Sequence, residues 1–141
     1  MTAIRPLSPE TRHKIAQIKE ALAKSDAPMH GYMTSLDQLD RSAKNDPTRD
    51  VSGPRVRVLD KIHDELMRAL QRLGALDTGL RAQDDLRKAL INSAAGYAAW
   101  SYALGSQNLR EISAAQARVQ THFDKAADYG ERGAANLERG I

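Results

Sequence analysis

Cysteine is missing from the chain, which removes disulfides, thiolate metal ligands and thiol nucleophiles together. Aromatic side chains are scarce, at 4% of residues with a single Trp and a single Phe. No run alternates Val, Ile, Thr or Tyr with polar residues, so strands have no support. Nor does any segment approach the roughly 18 consecutive apolar residues of a membrane span. The opening stretch MTAIRPLSPETR lacks the apolar centre of a secretory signal. The expectation is a cytoplasmic protein, or one exported by a route without a cleaved N-terminal signal. A strong charge of one sign is lacking too. Residues 1–75 hold 13 Lys/Arg against 10 Asp/Glu, and residues 76–141 hold eight against eight. That mild excess does not argue for nucleic acid.

What is present is Ala, Leu and Arg, with 41% apolar and 28% charged residues, the composition of a soluble helical domain. At 141 residues the chain suits one domain with a modest core of its own. Its last nineteen residues repeat in sevens as FDKAADY, GERGAAN and LERGI. The second position is always acidic (Asp124, Glu131, Glu138) and the third always basic (Lys125, Arg132, Arg139). Seven residues are close to two helical turns, so this is a coiled-coil-like helix with one packing face and one charged back. The seam continues upstream through Phe123, Val119, Gln116, Ile112 and Leu109.

The remaining periodicity predicts an all-α, up-down bundle of four to five helices ending in this long heptad-patterned one. The spans are 9–24, 27–44, 54–73, 78–104 and 106–138, within a single domain covering 1–141. Residues 1–8 form an N-terminal arm, and 45–53 (NDPTRDVSG) an inter-helix loop. Ser8 is the expected N-cap of the first helix, Asp26 of the second, Asp77 or Thr78 of the fourth and Ser106 of the fifth. Leu73, Leu76 and Leu80 keep helical spacing across 74–79, so the third and fourth helices are also compatible with one bent helix. The predicted core is Ile15, Ile18, Leu22, Leu36, Leu39, Leu59, Ile62, Leu66, Leu73, Leu90, Tyr97, Ile112, Val119 and Phe123. A turn at 105–106 pairs positions of the last two helices whose numbers sum to about 211. That sets Ala94–Gly96 against Ala114–Ala117, and Gly130 and Gly133 against Thr78 and Gly79.

Four constellations are candidates for chemistry. Carboxylate-x-x-His pairs on facing helices build di-metal sites in bundles, and Glu10/His13 and Asp60/His63 have that spacing. His13 points away from its helix's apolar stripe, and no inward carboxylate stands ready on the other helices. The plainer reading is an exposed His13 and a boundary His63, with Asp60 and His63 as the metal-binding alternative. No Gly-x-Ser-x-Gly elbow, phosphate loop or dinucleotide fingerprint occurs, so the expectation is a non-enzyme without cofactor. Arg55, Arg57, Lys61, Arg68 and Arg72 form the best basic stripe, a nucleic-acid alternative. Asp64 and Glu65 interrupt it at ion-pair spacing, and no aromatic stands beside it to stack on bases.

The aromatics of the fourth helix are the fourth constellation. Trp100 and Tyr102 point roughly 60° and 140° away from Tyr97 around the helix axis, more arc than one packing face accepts. Trp and Tyr are enriched at binding hot spots. Trp100 and Tyr102, with His122 and Tyr129 at the edge of the fifth helix, are therefore the candidate protein-binding residues. The antiparallel register puts Trp100 near Glu111, so they divide into two patches. The functional expectation is a non-catalytic helical interaction module: an adaptor, secretion chaperone, immunity or inhibitor protein, or secreted helical effector. Its partner is another protein, including a second copy of itself.

Overall fold

Ser8 opens the first helix as its side chain suggests: its Oγ accepts from the Thr11 backbone N–H at 3.1 Å, and Pro9 follows where a missing N–H costs nothing. The computed structural model describes residues 6–141. These form α1 (Pro9–Ala23), α2 (Asp26–Asn45), α3 (Ser52–Gly74), α4 (Arg81–Gly105) and α5 (Leu109–Arg139), with no strand among the described residues. None of these helices is long and apolar enough to cross a membrane.

α1 and α2 are two pieces of one bent arm. Pro28 has no N–H for the carbonyl of residue 24 and its ring crowds that carbonyl, so the helix breaks at Lys24–Ser25. Along the arm, Ala21 meets Arg72, Ser25 meets Glu65 and Asp40 meets Arg55. Partner numbers on α3 fall as those on the arm rise, so the whole arm runs antiparallel to α3. α3 then packs on α4 and α4 on α5. Ile62, Leu66 and Ala94 form the centre, covered by Met29, Tyr32, Met33, Val58, Leu90 and Tyr97 from three helices. Ile18, Leu59, Ile62 and Leu73 lose essentially all solvent contact.

Glu65 departs most from the sequence expectation, which made it part of an exposed ion-pair face. It is only 4% exposed. The break in the arm turns Ser25 onto α3, and Ser25 Oγ donates to Glu65 Oε1 at 2.7 Å. Arg68 Nε donates to the other carboxylate oxygen at 2.9 Å. Arg72 approaches the carboxylate at 3.6 Å, donates to Ser25 Oγ, and gives its Nε to the Ala21 carbonyl at 3.1 Å. That carbonyl is one of those a helix end leaves unsatisfied. So Asp26 does not cap α2. Ser25 precedes it and spends its hydroxyl on Glu65 instead.

α3 and α4 are separate helices. Gly79 takes a left-handed backbone (φ 70°), which Leu or Ala there would resist. Gln83 holds the corner. Its Nε2 donates to the Leu73 and Leu76 carbonyls at 2.9 and 2.8 Å, and its Oε1 accepts from the Thr78 hydroxyl and N–H. Thr78 is thereby buried and does not cap α4, which follows Leu80 with no side-chain cap.

α5 starts three residues later than the expected 106 and ends one later than the expected 138, and its charged back (Asp124, Lys125, Glu131, Arg132, Glu138, Arg139) is exposed. Asn108 caps it in place of Ser106, accepting from the N–H groups of Arg110 and Glu111. Gly140 ends it with a left-handed backbone (φ 72°). Ile141 N–H bonds the Asn136 carbonyl and Gly140 N–H that of Leu137, closing the helix with paired carbonyls. The Ile141 oxygen in turn accepts from the Ala82 N–H, an otherwise orphan donor in the first turn of α4. Leu7 and Thr11 pack so closely on Gly140 that a side chain there would collide with them.

The register of α4 on α5 corrects the expected 211. Gly96 lies under Phe123 and Gly133 against Leu86, pairs whose numbers sum to 219. Each glycine is a socket for a large side chain opposite, so small residues face large ones rather than each other. Gly130 meets nothing. The expected core is also wider than the buried one. Ala115, Ala126 and Gly133 are the buried line of α5, while Ile112, Val119 and Phe123 stay half-buried, as do Leu22, Leu39, Leu90 and Tyr97. The reason for α5 is that it packs chiefly on one neighbour, so one flank of its apolar stripe has no helix to cover it.

Candidate functional site

The uncovered flank of α5 becomes a groove. Near the α4–α5 connection, Trp100, Ala103 and Leu104 of α4 face Ile112, Val119 and Phe123 of α5 across an open apolar cavity of about 280 Å³, with Gln116 at its edge. Leu109, 82% exposed, stands at the adjoining start of α5. Apolar stripes built for packing here meet water.

Trp100 is fixed rather than loose. Its ring stacks on Tyr97, with centroids 6.2 Å apart and planes 19° from parallel. Tyr97 in turn meets Phe123 edge-on, at 5.0 Å and 71°, in the offset and T-shaped geometries that aromatic quadrupoles favour. Tyr97 also packs on the Ile62–Leu66–Ala94 centre. One ring thus ties the groove wall to the core, and its burial pushes the Tyr97 hydroxyl pKa up.

Tyr102 is 51% exposed and points away from this stack, as its place around the helix axis required. Its hydroxyl donates to Glu111 Oε2 at 3.0 Å, and Ser106 Oγ donates to the same oxygen at 3.1 Å. The hydrogen bond and charge of Glu111 raise the Tyr102 pKa. The helix connection is therefore pinned by Tyr102, where the sequence register had placed Trp100 near Glu111.

Tyr129 lies in a different neighbourhood, six residues beyond Phe123 and so about 9 Å farther along the helix. Lys88 stands 5.6 Å and Arg132 5.1 Å from its ring centre, both in cation–π range. Asp84 draws Lys88 at 3.1 Å and raises its pKa. His122 is half-buried, and its Nδ1 is sealed from solvent with no hydrogen-bond partner. The four candidate residues thus divide, with Trp100 in the groove, Tyr102 at the connection, Tyr129 in a cationic patch and His122 half-buried with its Nδ1 unpaired.

The other constellations are dispersed. Asp60 accepts from Ser101 Oγ on α4 at 2.8 Å, whereas His63 Nδ1 sits 3.4 Å from Asp64. Among the described residues, no group of three or more His, Asp or Glu is placed to hold a metal. The basic stripe is split. Arg55 pairs with Asp40 at 2.5 Å, and Arg68 and Arg72 serve Glu65. Arg57 and Lys61 remain, without an ion pair among the described residues.

The groove itself was hidden in the sequence because its residues read as core. One signal could have found it. The stripe of α5 starts at Leu109, while the facing end of α4 is rich in Ala and Gly and cannot cover it. Compared with known proteins, the chain matches no family model, no curated protein and no solved structure.

Proposed function

We propose that the protein acts by binding another protein, as a non-catalytic helical module whose contact surface is the α4–α5 groove. The observation that supports this is the open apolar groove walled by Trp100, Leu104, Ile112 and Val119, with exposed Leu109 beside it. A pre-stacked Trp at the edge of an apolar groove loses little rotamer freedom on binding, which is how an interface anchor gains affinity. Its lining on α5 runs from Ile112 to Phe123, about three helical turns of largely apolar surface, which suits the apolar stripe of a partner helix.

The test compares the protein with its Ile112→Glu and Val119→Glu variants, both positions being half-buried and so tolerant of a charge. Partners captured from native cells by the parent chain should be lost with both variants while circular dichroism stays helical. Retention of every partner by both variants would remove the groove from the reading. Sedimentation of the pure chain separates a second copy from a foreign partner, since only the former self-associates through the same residues.

A further inference from the structure

A second site shares no residue with that groove and lies in the crevice between α2 and α3. It is an open cavity of about 440 Å³ lined by Arg49, Arg57 and Lys61 together with Ser35, Gln38 and Ser42. Leu39 and Val58 contribute apolar lining, and no carboxylate lines it.

Arg57 and Lys61 sit four residues apart on α3, a spacing at which like charges repel. The chain offers partners for both: Asp60 beside them, Glu65 one turn beyond Lys61, and Asp40 across on α2. Each is engaged elsewhere. Ser101 of α4 holds Asp60, Ser25 with Arg68 and Arg72 holds Glu65, and Arg55 takes Asp40. In the connecting loop, Asp46 and Asp50 are turned to Thr48 and Ser52. Arg49 reaches back to donate to Ser42 Oγ at 2.7 Å, at the crevice wall. The result is a concave site with three cations, two hydroxyls and an amide and no carboxylate in its lining, with Asp46 outside it feeling the charge of Arg49.

We propose that this crevice binds a small ligand bearing a phosphoryl group. Arg57, Lys61 and Arg49 meet its negative oxygens through charge-assisted hydrogen bonds, the strongest kind available to these side chains. Ser42 and Gln38 supply neutral donors, while the Ser35 hydroxyl already donates to the Gly31 carbonyl at 3.1 Å. Leu39 and Val58 receive an aliphatic portion. No aromatic ring lines the crevice to stack on a base, so a small phosphoryl compound fits it better than a nucleic acid.

Pyrophosphate is the probe, titrated into the full chain and followed by amide chemical shifts. Saturable shifts centred on residues 35–61 are expected, and raising the salt concentration should weaken them. Arg57→Gln and Lys61→Gln should each weaken binding about tenfold, the loss of one charge-assisted contact. Arg118→Gln with Lys125→Gln, two exposed cations of α5, should leave affinity within about twofold, since screened charges at a distance contribute little. Melting without ligand gives an independent readout: Lys61→Gln relieves repulsion from Arg57, so its Tm should hold or rise while binding falls. The proposal is overturned by an absence of saturable binding at millimolar pyrophosphate, or by equal losses in the α5 variant. A fall in Tm for both crevice variants would make the cations structural. A single-stranded oligonucleotide that displaces pyrophosphate at lower concentration would show the site to serve nucleic acid instead.

Discussion

The ring of Phe123 occupies the space that a Cβ on Gly96 would need, with three ring carbons within 3.0 Å of that position. The ring cannot easily retreat, because Tyr97 holds it edge-on at 5.0 Å. Gly96→Ala should therefore destabilise by about 1–3 kcal/mol, as overpacking does, despite the better helix propensity of Ala. Gly130→Ala is the contrast, since nothing lies within 4 Å of its added methyl. It should gain up to about 1 kcal/mol from propensity alone. Urea denaturation of the two variants reads both signs.

Glu65 makes stability depend on acid. Burial alone would raise its pKa, but hydrogen bonds from Ser25 and Arg68 and the charges of Arg68 and Arg72 together lower it from the ordinary 4.5. A carboxylate lowered in the folded state adds stability that is complete above its unfolded pKa. That stability is lost as pH falls through the folded value. Stability should thus hold from neutral pH down to about 5 and decline below 4.5. Glu65→Gln should be less stable at neutral pH and show a shallower acid decline. An acid limb as steep as the parent's would remove Glu65 as its source.

Gln83 is predicted to be the most sensitive polar residue of the α3–α4 corner. Its amide makes four hydrogen bonds, to Leu73, Leu76 and twice to Thr78. Gln83→Ala leaves the Leu73 and Leu76 carbonyls without the amide and the Thr78 hydroxyl and N–H without their acceptor, and should cost about 1–3 kcal/mol. Gln83→Glu should cost more, because it turns an oxygen toward two carbonyls. Thermal melts that rank Glu above Ala would contradict an amide that donates to Leu73 and Leu76.

Leu66 sits at the centre where three helices meet. Leu66→Ala should cost about 2–5 kcal/mol in denaturant unfolding. A cost near that of a surface substitution, about 0.5 kcal/mol, would put the core elsewhere.

Local signals were readable from the chain where one residue settles the outcome alone. Ser8 and Pro9 start α1, residues 46–51 connect α2 to α3, and the heptad charges mark the exposed back of α5. What escaped depends on a second, distant residue. Glu65 looks like a surface charge until the Pro28 break swings Ser25 onto it. Thr78 looks like a cap until Gln83 claims its hydroxyl. Gly140 looks like one more heptad residue until its left-handed backbone and the close packing of Leu7 explain it. The α4–α5 groove escaped for a related reason, since Ile112 and Val119 carry a core pattern and only the shortage of neighbours around α5 exposes it. Asp60 and His63, close in number, diverge because Ser101 takes the carboxylate.

The order in which these helices touch has a kinetic side. The bent arm lies on α3, α3 on α4 and α4 on α5, so much of the packing joins segments adjacent in the chain. Such a topology has short loops to close and belongs to the fast-folding regime. The contacts of Gly140 with Leu7 and Thr11 differ, because they bring the two extremes of the described chain together. They must wait until everything between is in place. They can also open first, letting both ends loosen while the centre around Leu66 stays closed.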